Sequence, residues 1–139
     1  MIPKDERRQG VLLYLHGGGY TCGDLFFQDA LHRAVSKGLA ALLDCSKEHP
    51  ELTVVVGAPL RMGPKMYNCA FVIENGDIRG IVPKTHIPGN EKRWFTSYKG
   101  EYGLYVEGED LGLEGWSHEG ASINPDFVFY RENATFAIE

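Results

Sequence analysis

The hydrophobic and polar positions along the chain predict short strands around a single long helix. Residues 11–15 form a short apolar run that leads into a glycine-rich turn, as a buried strand would. Between about residues 27 and 47, apolar residues recur at steps of three and four, which predicts an amphipathic helix that ends before Pro50. Its apolar face would consist of Leu31, Ala34, Val35, Gly38, Leu39, Leu42 and Leu43.

A strand and a hairpin are predicted next. Residues 52–58 are apolar and β-branched, which indicates a central strand that is buried on both faces. Residues 67–73 and 78–82 flank Asn75-Gly76, which is the strongest short-range signal for a hairpin. We expect a two-residue turn with positive φ at both positions.

The last third of the chain has a weaker pattern. Residues 100–120 are rich in glycine and acidic residues, which predicts an excursion over the surface. Residues 127–130 and 135–138 have the composition of two further strands, joined by a turn at residues 131–133. The fold class is therefore α/β (α+β) with more strand than helix, and residues 1–139 form a single domain.

Composition and charge exclude several classes of protein. The formal net charge of -5 and the scattered lysines and arginines argue against nucleic acid as a partner. No apolar run approaches the ~18 residues that cross a bilayer, and no signal peptide is recognisable, so we expect a cytoplasmic protein without a membrane partner. Cys22, Cys45 and Cys69 show no CxxC spacing, which fits reduced thiols and predicts neither a disulfide framework nor a metal site.

Several motifs in order resemble one enzyme family. The first is Gly-Tyr-Thr-Cys-Gly-Asp-Leu-Phe-Phe-Gln at residues 19–28. The second begins with Val-Gly-Ala-Pro-Leu at residues 56–60 and ends with Glu-Lys-Arg-Trp-Phe at residues 91–95. Between those two ends lie Tyr67-Asn68-Cys69-Ala70 and Gly80-Ile81-Val82-Pro83-Lys84. These motifs resemble the nitrilase (carbon–nitrogen hydrolase) superfamily, in particular the glutaminase domain of glutamine-dependent NAD synthetases.

The resemblance implies a fold and a reaction. The family fold is an αββα sandwich of two mixed sheets, of which this chain would supply about the first half, as an incomplete sandwich. The chemistry is the attack of a cysteine on the amide of L-glutamine, with a glutamate that moves protons and a lysine that stabilises the oxyanion. The resemblance implies no cofactor in this segment, because ATP and Mg²⁺ belong to the family's synthetase domain.

Three catalytic positions can be carried over by resemblance. Lys84 matches the lysine of the family, directly after a strand and Pro83. The glutamate position is occupied by Tyr14, whose phenol has an ordinary pKa of about 10 and is a poor base near neutral pH. The cysteine would follow shortly after Glu139. We therefore expect this chain on its own to be catalytically inactive.

Substrate-binding positions are Tyr20, in the first motif, and Glu91. The loop between Lys84 and Glu91 is shorter than in the family, which affects the segment that helps to hold the substrate. Glu91 either matches the family's second acidic residue or is a surface partner of Lys92 or Arg93. We also expect Lys84 to point towards residues 14–16 and to be partly solvated or turned towards an acidic residue, either Glu91 or Glu139.

Two alternatives remain. His16-Gly17-Gly18-Gly19 resembles the oxyanion loop of lipase-like α/β-hydrolases, which would make the chain a carboxylesterase fragment, but no Gly-x-Ser-x-Gly elbow follows. Residues 1–18 accordingly form an atypical N-terminal segment that departs from the nitrilase pattern. The other alternative is a non-catalytic interaction module, because half a sandwich leaves open strand edges that pair with other chains, whether as a homo-oligomer or with the missing C-terminal half.

Overall fold

Strands predominate over helix in this computed structural model, as the sequence predicts. The structure describes residues 11–15, 25–100, 105–113, 116, 120–131 and 134–138. In chain order the elements are β1 (Val11–Leu15), α1 (Leu25–Glu48), β2 (Leu52–Met62), β3 (Lys65–Glu74), β4 (Asp77–Pro83), β5 (Tyr105–Glu107), β6 (Gly120–Ser122), β7 (Val128–Arg131) and β8 (Ala134–Ala137). The mixed α/β class is therefore confirmed.

The main sheet has the strand order β1-β2-β3-β4. β1 pairs with β2 in parallel, and the β2–β3 and β3–β4 pairs are antiparallel. β1, β2 and β4 consequently run in the same direction, and their carboxyl ends lie at the same edge of the sheet. β2 lies between two neighbours, as predicted, and it is longer than its apolar run because residues 59–62 continue the ladder with β3.

The β3–β4 hairpin closes as the sequence predicts. Asn75 and Gly76 have φ values of 48° and 77°, which are the values that a type I′ turn requires. The backbone N–H of Gly76 donates a hydrogen bond to Ser46 Oγ at 2.7 Å, and Ser46 Oγ donates to the Leu43 carbonyl at 2.8 Å. Ser46 is only 1% exposed, so the hydroxyl links the turn to the end of α1 inside the protein.

Substituting Ser46 by alanine is expected to destabilise the chain by about 1–3 kcal/mol, because the buried N–H of Gly76 then loses its acceptor. Urea unfolding measures the change. The control is Ser122→Ala, at an exposed position on β6, which should change the free energy of unfolding by no more than about 0.5 kcal/mol. Equal effects of the two substitutions would contradict the role given to the Ser46 hydroxyl.

Helix α1 packs on one face of the sheet through a narrower apolar stripe than predicted. Leu39 and Leu43 are buried in a cluster with Val54 and Phe71. The predicted face was wrong at Ala34 and Gly38, which are exposed. Two serines, Ser36 and Ser46, are buried instead. Small polar residues are tolerated there because their hydroxyls donate hydrogen bonds to backbone carbonyls.

The surface excursion predicted for residues 100–120 is wrong at residues 105–113, which dock on the core of the protein. Val106, Leu111 and Leu113 are buried in the same core cluster as the helix. Ile123 forms a parallel bridge with Ile81 of β4, and so extends the main sheet beyond its last strand. The segment is rich in glycine and acids, yet its few apolar residues supply enough burial to dock it against the helix and the sheet edge.

The β7–β8 hairpin covers the opposite face of the sheet. Val72 and Gly80 are register partners on that face, and a side chain at Gly80 would come within 3.1 Å of the Phe127 and Phe129 rings. Phe129 in turn stacks on Phe136 of β8, with ring centroids 5.3 Å apart. The two predicted strands are confirmed to within one residue at each end. Helix, sheet and hairpin thus form three successive layers.

Candidate active site

Lys84 lies where the sequence predicts, directly after Pro83, the last residue of β4. Its backbone is held on both sides, because Lys84 N donates to the Asn68 carbonyl at 2.8 Å and the Lys84 carbonyl accepts from Tyr98 N at 3.4 Å. The bond to Asn68 continues the β3–β4 ladder by one residue, and the bond from Tyr98 holds the other side of the backbone. The base of the side chain is therefore fixed at the carboxyl end of β4.

The ammonium group of Lys84 is paired with a carboxylate. Lys84 Nζ lies 3.4 Å from Glu91 Oε2, and Asn68 Nδ2 lies 3.4 Å from the same oxygen. The side chains of Lys84 and Glu91 are 38% and 29% exposed, so about a third of the pair is in contact with solvent. This confirms that Lys84 is partly solvated and turned towards Glu91. A surface pair of this kind contributes little stability, about 0–1 kcal/mol.

Glu91 therefore faces the site and not its neighbours in sequence. It begins a single turn in which the backbone N–H of Phe95 donates to the Glu91 carbonyl at 3.0 Å. Arg93, one of the two alternative partners, lies instead over the ring of Trp94, at 5.3 Å from the ring centroid. The match of Glu91 to the family's second acidic residue stays a prediction.

A cavity of about 880 Å³ opens beside this pair. One wall is the sheet, with Gly57, Asn68 and Ala70, and the opposite wall is the β7–β8 hairpin, with Val128 of β7 and residues 137–138. The volume is within the range of ligand pockets, about 300–1,000 Å³. Lys84, His86 and Asp126 also line the cavity and give it both positive and negative groups.

Cys69 lines the same cavity but is unsuited to nucleophilic attack. It is 3% exposed, and burial raises the pKa of its thiol far above the ordinary range. The thiolate is the reactive form of cysteine, so Cys69 remains an inert thiol near neutral pH. This confirms the packing role expected for Cys69. Cys45 is exposed on α1, and Cys22 lies outside the described residues.

Alkylation should separate these two cysteines. At pH 8 in native protein, we expect iodoacetamide to modify Cys69 at least about a hundredfold more slowly than Cys45, since reaction at Cys69 requires opening of the core. Peptide mass spectrometry quantifies each site. Denaturant should remove the difference. Comparable native rates would show that Cys69 is neither buried nor protonated.

The Tyr14 position lies on the same sheet but not on a strand next to Lys84. Tyr14 pairs with Val55, and β2 and β3 separate β1 from β4, a separation of about 14 Å. The expected approach of Lys84 to residues 14–16 stays a prediction, because those side chains are outside the described part of the chain. Tyr20 and the glycine-rich turn at residues 17–19 are outside it as well.

Comparison with known proteins gives a consistent family. No family model matches the chain. The glutamine-dependent NAD(+) synthetase of Mycobacterium tuberculosis is 37% identical over 121 residues, covering 82% of this chain and 17% of that protein. That of Mycobacterium leprae is 34% identical over 111 residues, covering 80% of the chain and 15% of the protein. The chain is homologous to glutamine-dependent NAD(+) synthetases. It spans about a sixth of the length of these relatives.

Solved structures of glutamine-dependent NAD(+) synthetases have the same fold in this region. The enzyme from Cytophaga hutchinsonii superposes with a TM-score of 0.64 at 22% identity, over 89% of this chain and 20% of that chain. The enzyme from Acinetobacter baumannii, solved with ADP, gives a TM-score of 0.52 at 25% identity, over 69% and 19%. The similarity extends over most of the chain, whereas the esterase-like motif at residues 16–19 is confined to four positions outside the described ranges.

Sequence reasoning missed two residues of the site in this NAD(+) synthetase relative. Asn68 belongs to a recognised motif but had no role until the β3–β4 register placed it opposite the end of β4. A polar residue in an otherwise apolar strand was the available signal. Asp126 gave no such signal, because its place in the cavity depends on the docking of β7–β8.

Among the described residues, no group of three or more histidine, cysteine, aspartate or glutamate side chains is placed to hold a metal ion. Within this described part of the chain, no helix is both long and apolar enough to cross a membrane.

Proposed function

We propose that this chain is a segment of the glutamine amidohydrolase domain of a glutamine-dependent NAD(+) synthetase, and that Lys84 is its oxyanion-stabilising residue. The observation that carries the proposal is the place of Lys84. It stands at the end of β4, beside a cavity, within the region of 37% identity to the mycobacterial enzyme. In such an enzyme the ammonia released from glutamine is used to make NAD(+).

The geometry suits the proposed role of Lys84. During attack on an amide, negative charge develops on the carbonyl oxygen, and a preorganised cation stabilises it most when its base is rigidly held. The two backbone hydrogen bonds of Lys84 supply that rigidity. The contact between Lys84 Nζ and Glu91 Oε2 is long, at 3.4 Å, so the ammonium can exchange it for a contact with a substrate oxygen. Asn68 Nδ2 donates to the same oxygen of Glu91 and so holds the carboxylate beside the cavity.

We also propose that the segment does not hydrolyse glutamine as it stands. By resemblance to the nitrilase family, Tyr14 occupies the position of the general base, and a phenol does not accept a proton readily near neutral pH. The absence of a cofactor from this segment, its cytoplasmic location and its self-association stay predictions from the sequence.

A chimera tests this function. Residues 1–139 would replace the matched segment of the Mycobacterium tuberculosis synthetase, so that the rest of the domain and the synthetase active site are supplied. Synthesis of NAD(+) from added ammonia reports on folding, and synthesis from glutamine reports on the amidohydrolase. We expect the ammonia-supported rate to be retained and the glutamine-supported rate to fall by at least about 10²-fold, the smaller end of the contribution of a general base. A chimera that uses glutamine as well as the parent enzyme does would contradict the loss of the base.

A further inference from the structure

The β7–β8 hairpin forms a wall of the cavity, although no backbone ladder joins its described residues to the main sheet. It is a separate two-stranded sheet, and its inner face rests on Gly80 through aromatic rings. Contacts between apolar surfaces are not directional, so rings alone would allow the hairpin to slide across the sheet. The bridge between Ile123 and Ile81 anchors the chain before β7, and a directional contact on the hairpin itself would fix its position along the strands.

Arg131, the last residue of β7, supplies directional contacts. Its Nη1 donates to Thr53 Oγ1 at 2.7 Å and lies 3.6 Å from Glu74 Oε1, and its Nη2 donates to the carbonyl of Pro50. Thr53 Oγ1 also donates to Glu74 Oε1. The side chains of Arg131 and Glu74 are only 23% and 20% exposed. One guanidinium thus joins β7 to β2, to β3 and to the loop before β2, and its planar fork fixes both distance and direction.

These contacts are remote from Lys84. Glu74 is the last residue of β3 and lies six positions along the strand from Asn68, a distance of about 20 Å. Strand β7 covers about 10 Å of that length, with Arg131 at one end and the cavity-lining residue Val128, opposite Ala137 of β8, at the other. Moving the hairpin by one residue would displace the wall by about 3.3 Å.

We propose that Arg131 is a positioning residue, which holds the β7–β8 hairpin in register on the sheet and thereby sets the shape of the cavity beside Lys84. Only the identity of the molecule in that cavity, L-glutamine, rests on the proposed function. The position of the wall is a property of the chain itself.

Acylation of Lys84 in the 139-residue chain measures that position without a substrate. The protein would be treated with a limiting amount of an acetylating N-hydroxysuccinimide ester, and peptide mass spectrometry would give the rate at each lysine. We expect Arg131→Met to raise the rate at Lys84 at least about threefold, since the cavity loses a fixed wall. The rate at Lys47, which is 58% exposed on α1, should not change.

Matched variants separate positioning from general destabilisation. Arg79 also reaches Glu74, at 3.8 Å, but it lies on β4 and is 56% exposed, so Arg79→Met should leave the Lys84 rate unchanged. Arg131→Lys keeps the charge and should recover part of the protection. Thr53→Val removes the shared hydroxyl without changing its shape, and it is the second test if Arg131→Met does not fold.

The proposal is overturned if the acylation rate at Lys84 stays the same in Arg131→Met and Thr53→Val. It is also overturned if the acylation rate at Lys47 rises in parallel, or if Arg79→Met raises the rate at Lys84 as much as Arg131→Met does. Failure of the proposed function would be a separate result. The chimera would then make no NAD(+) from glutamine, even with a glutamate at position 14, while the acylation rates at Lys84 in the 139-residue variants would still differ as expected.

Discussion

Placing glutamate at position 14 of the chimera is expected to raise its rate of glutamine hydrolysis by about 10²–10⁴-fold, the usual contribution of a positioned acid–base group. Position 14 lies on β1, paired with Val55, in the parallel part of the sheet. The backbone that would present the carboxylate is therefore a strand and not a loop. With the cysteine supplied by the parent enzyme, the glutamate completes the set of three that the family uses.

The control for this prediction is Tyr14→Gln. Glutamine has the size and shape of glutamate but does not take up a proton, so it should leave the chimera inactive with glutamine as the substrate. Ammonia-supported synthesis should be the same in both variants. Equal activity of the Glu and Gln variants would show that removal of the tyrosine ring, and not restoration of a base, is responsible.

Replacing Lys84 by alanine in the chimera that carries Tyr14→Glu is expected to lower kcat for glutamine by about 10²–10³-fold, the cost of losing one oxyanion donor. The ammonium of Lys84 is the cation that the structure places beside Glu91 and the cavity. Steady-state ammonia release measures the effect. Because the group acts on developing charge, kcat should fall far more than KM rises.

Lys92 provides the matched control for Lys84. It is an exposed lysine in the same loop, directly after Glu91. Lys92→Ala should leave the rate within about twofold of its parent, in line with the small effects of most surface substitutions. A comparable loss from both substitutions would mean that the rate responds to the charge of the loop and not to a particular ammonium group.

Local rules explain the parts of the fold that the sequence predicts well. Asn75 and Gly76 tolerate positive φ, so the turn and the first residue pairs of β3 and β4 follow from one dipeptide and its flanking strands. The register shifts by one residue between Val72 and Ile73, and the dipeptide does not predict this shift, which places Lys84 opposite Asn68. The continuous apolar run that begins at Leu52 is likewise sufficient to indicate a central strand.

Features that depend on tertiary contacts were not predictable in this way. Leu111 and Leu113 are buried because residues 105–113 dock on α1, where Ser36 Oγ donates to the Leu111 carbonyl at 2.6 Å. That contact joins residues 75 positions apart in the chain. It also explains why the apolar stripe of α1 is narrower than its periodicity suggests, since a polar residue is needed on the buried side.

The candidate site likewise contains residues that local sequence places and residues that only tertiary contacts place. Lys84 could be placed from its motif and the strand before it. The contact between Glu91 and Lys84 needed the distance between the two side chains, and the contact of Asn68 with Glu91 needed the ladder between β3 and β4. Arg131 carried no signal in the sequence, because its partners Thr53 and Glu74 lie more than 50 residues away and meet it only when the hairpin covers the sheet.

The central claim is that this segment carries the lysine of a glutamine amidohydrolase whose general base has been replaced. The ratio of glutamine-supported to ammonia-supported NAD(+) synthesis tests it most directly, measured in four chimeras: unchanged, Tyr14→Glu, Lys84→Ala and the double variant. The account predicts a high ratio in Tyr14→Glu alone, at least about 10²-fold above the other three. A ratio in the double variant equal to that in Tyr14→Glu would contradict the role of Lys84, and a high ratio in the unchanged chimera would contradict the loss of the base.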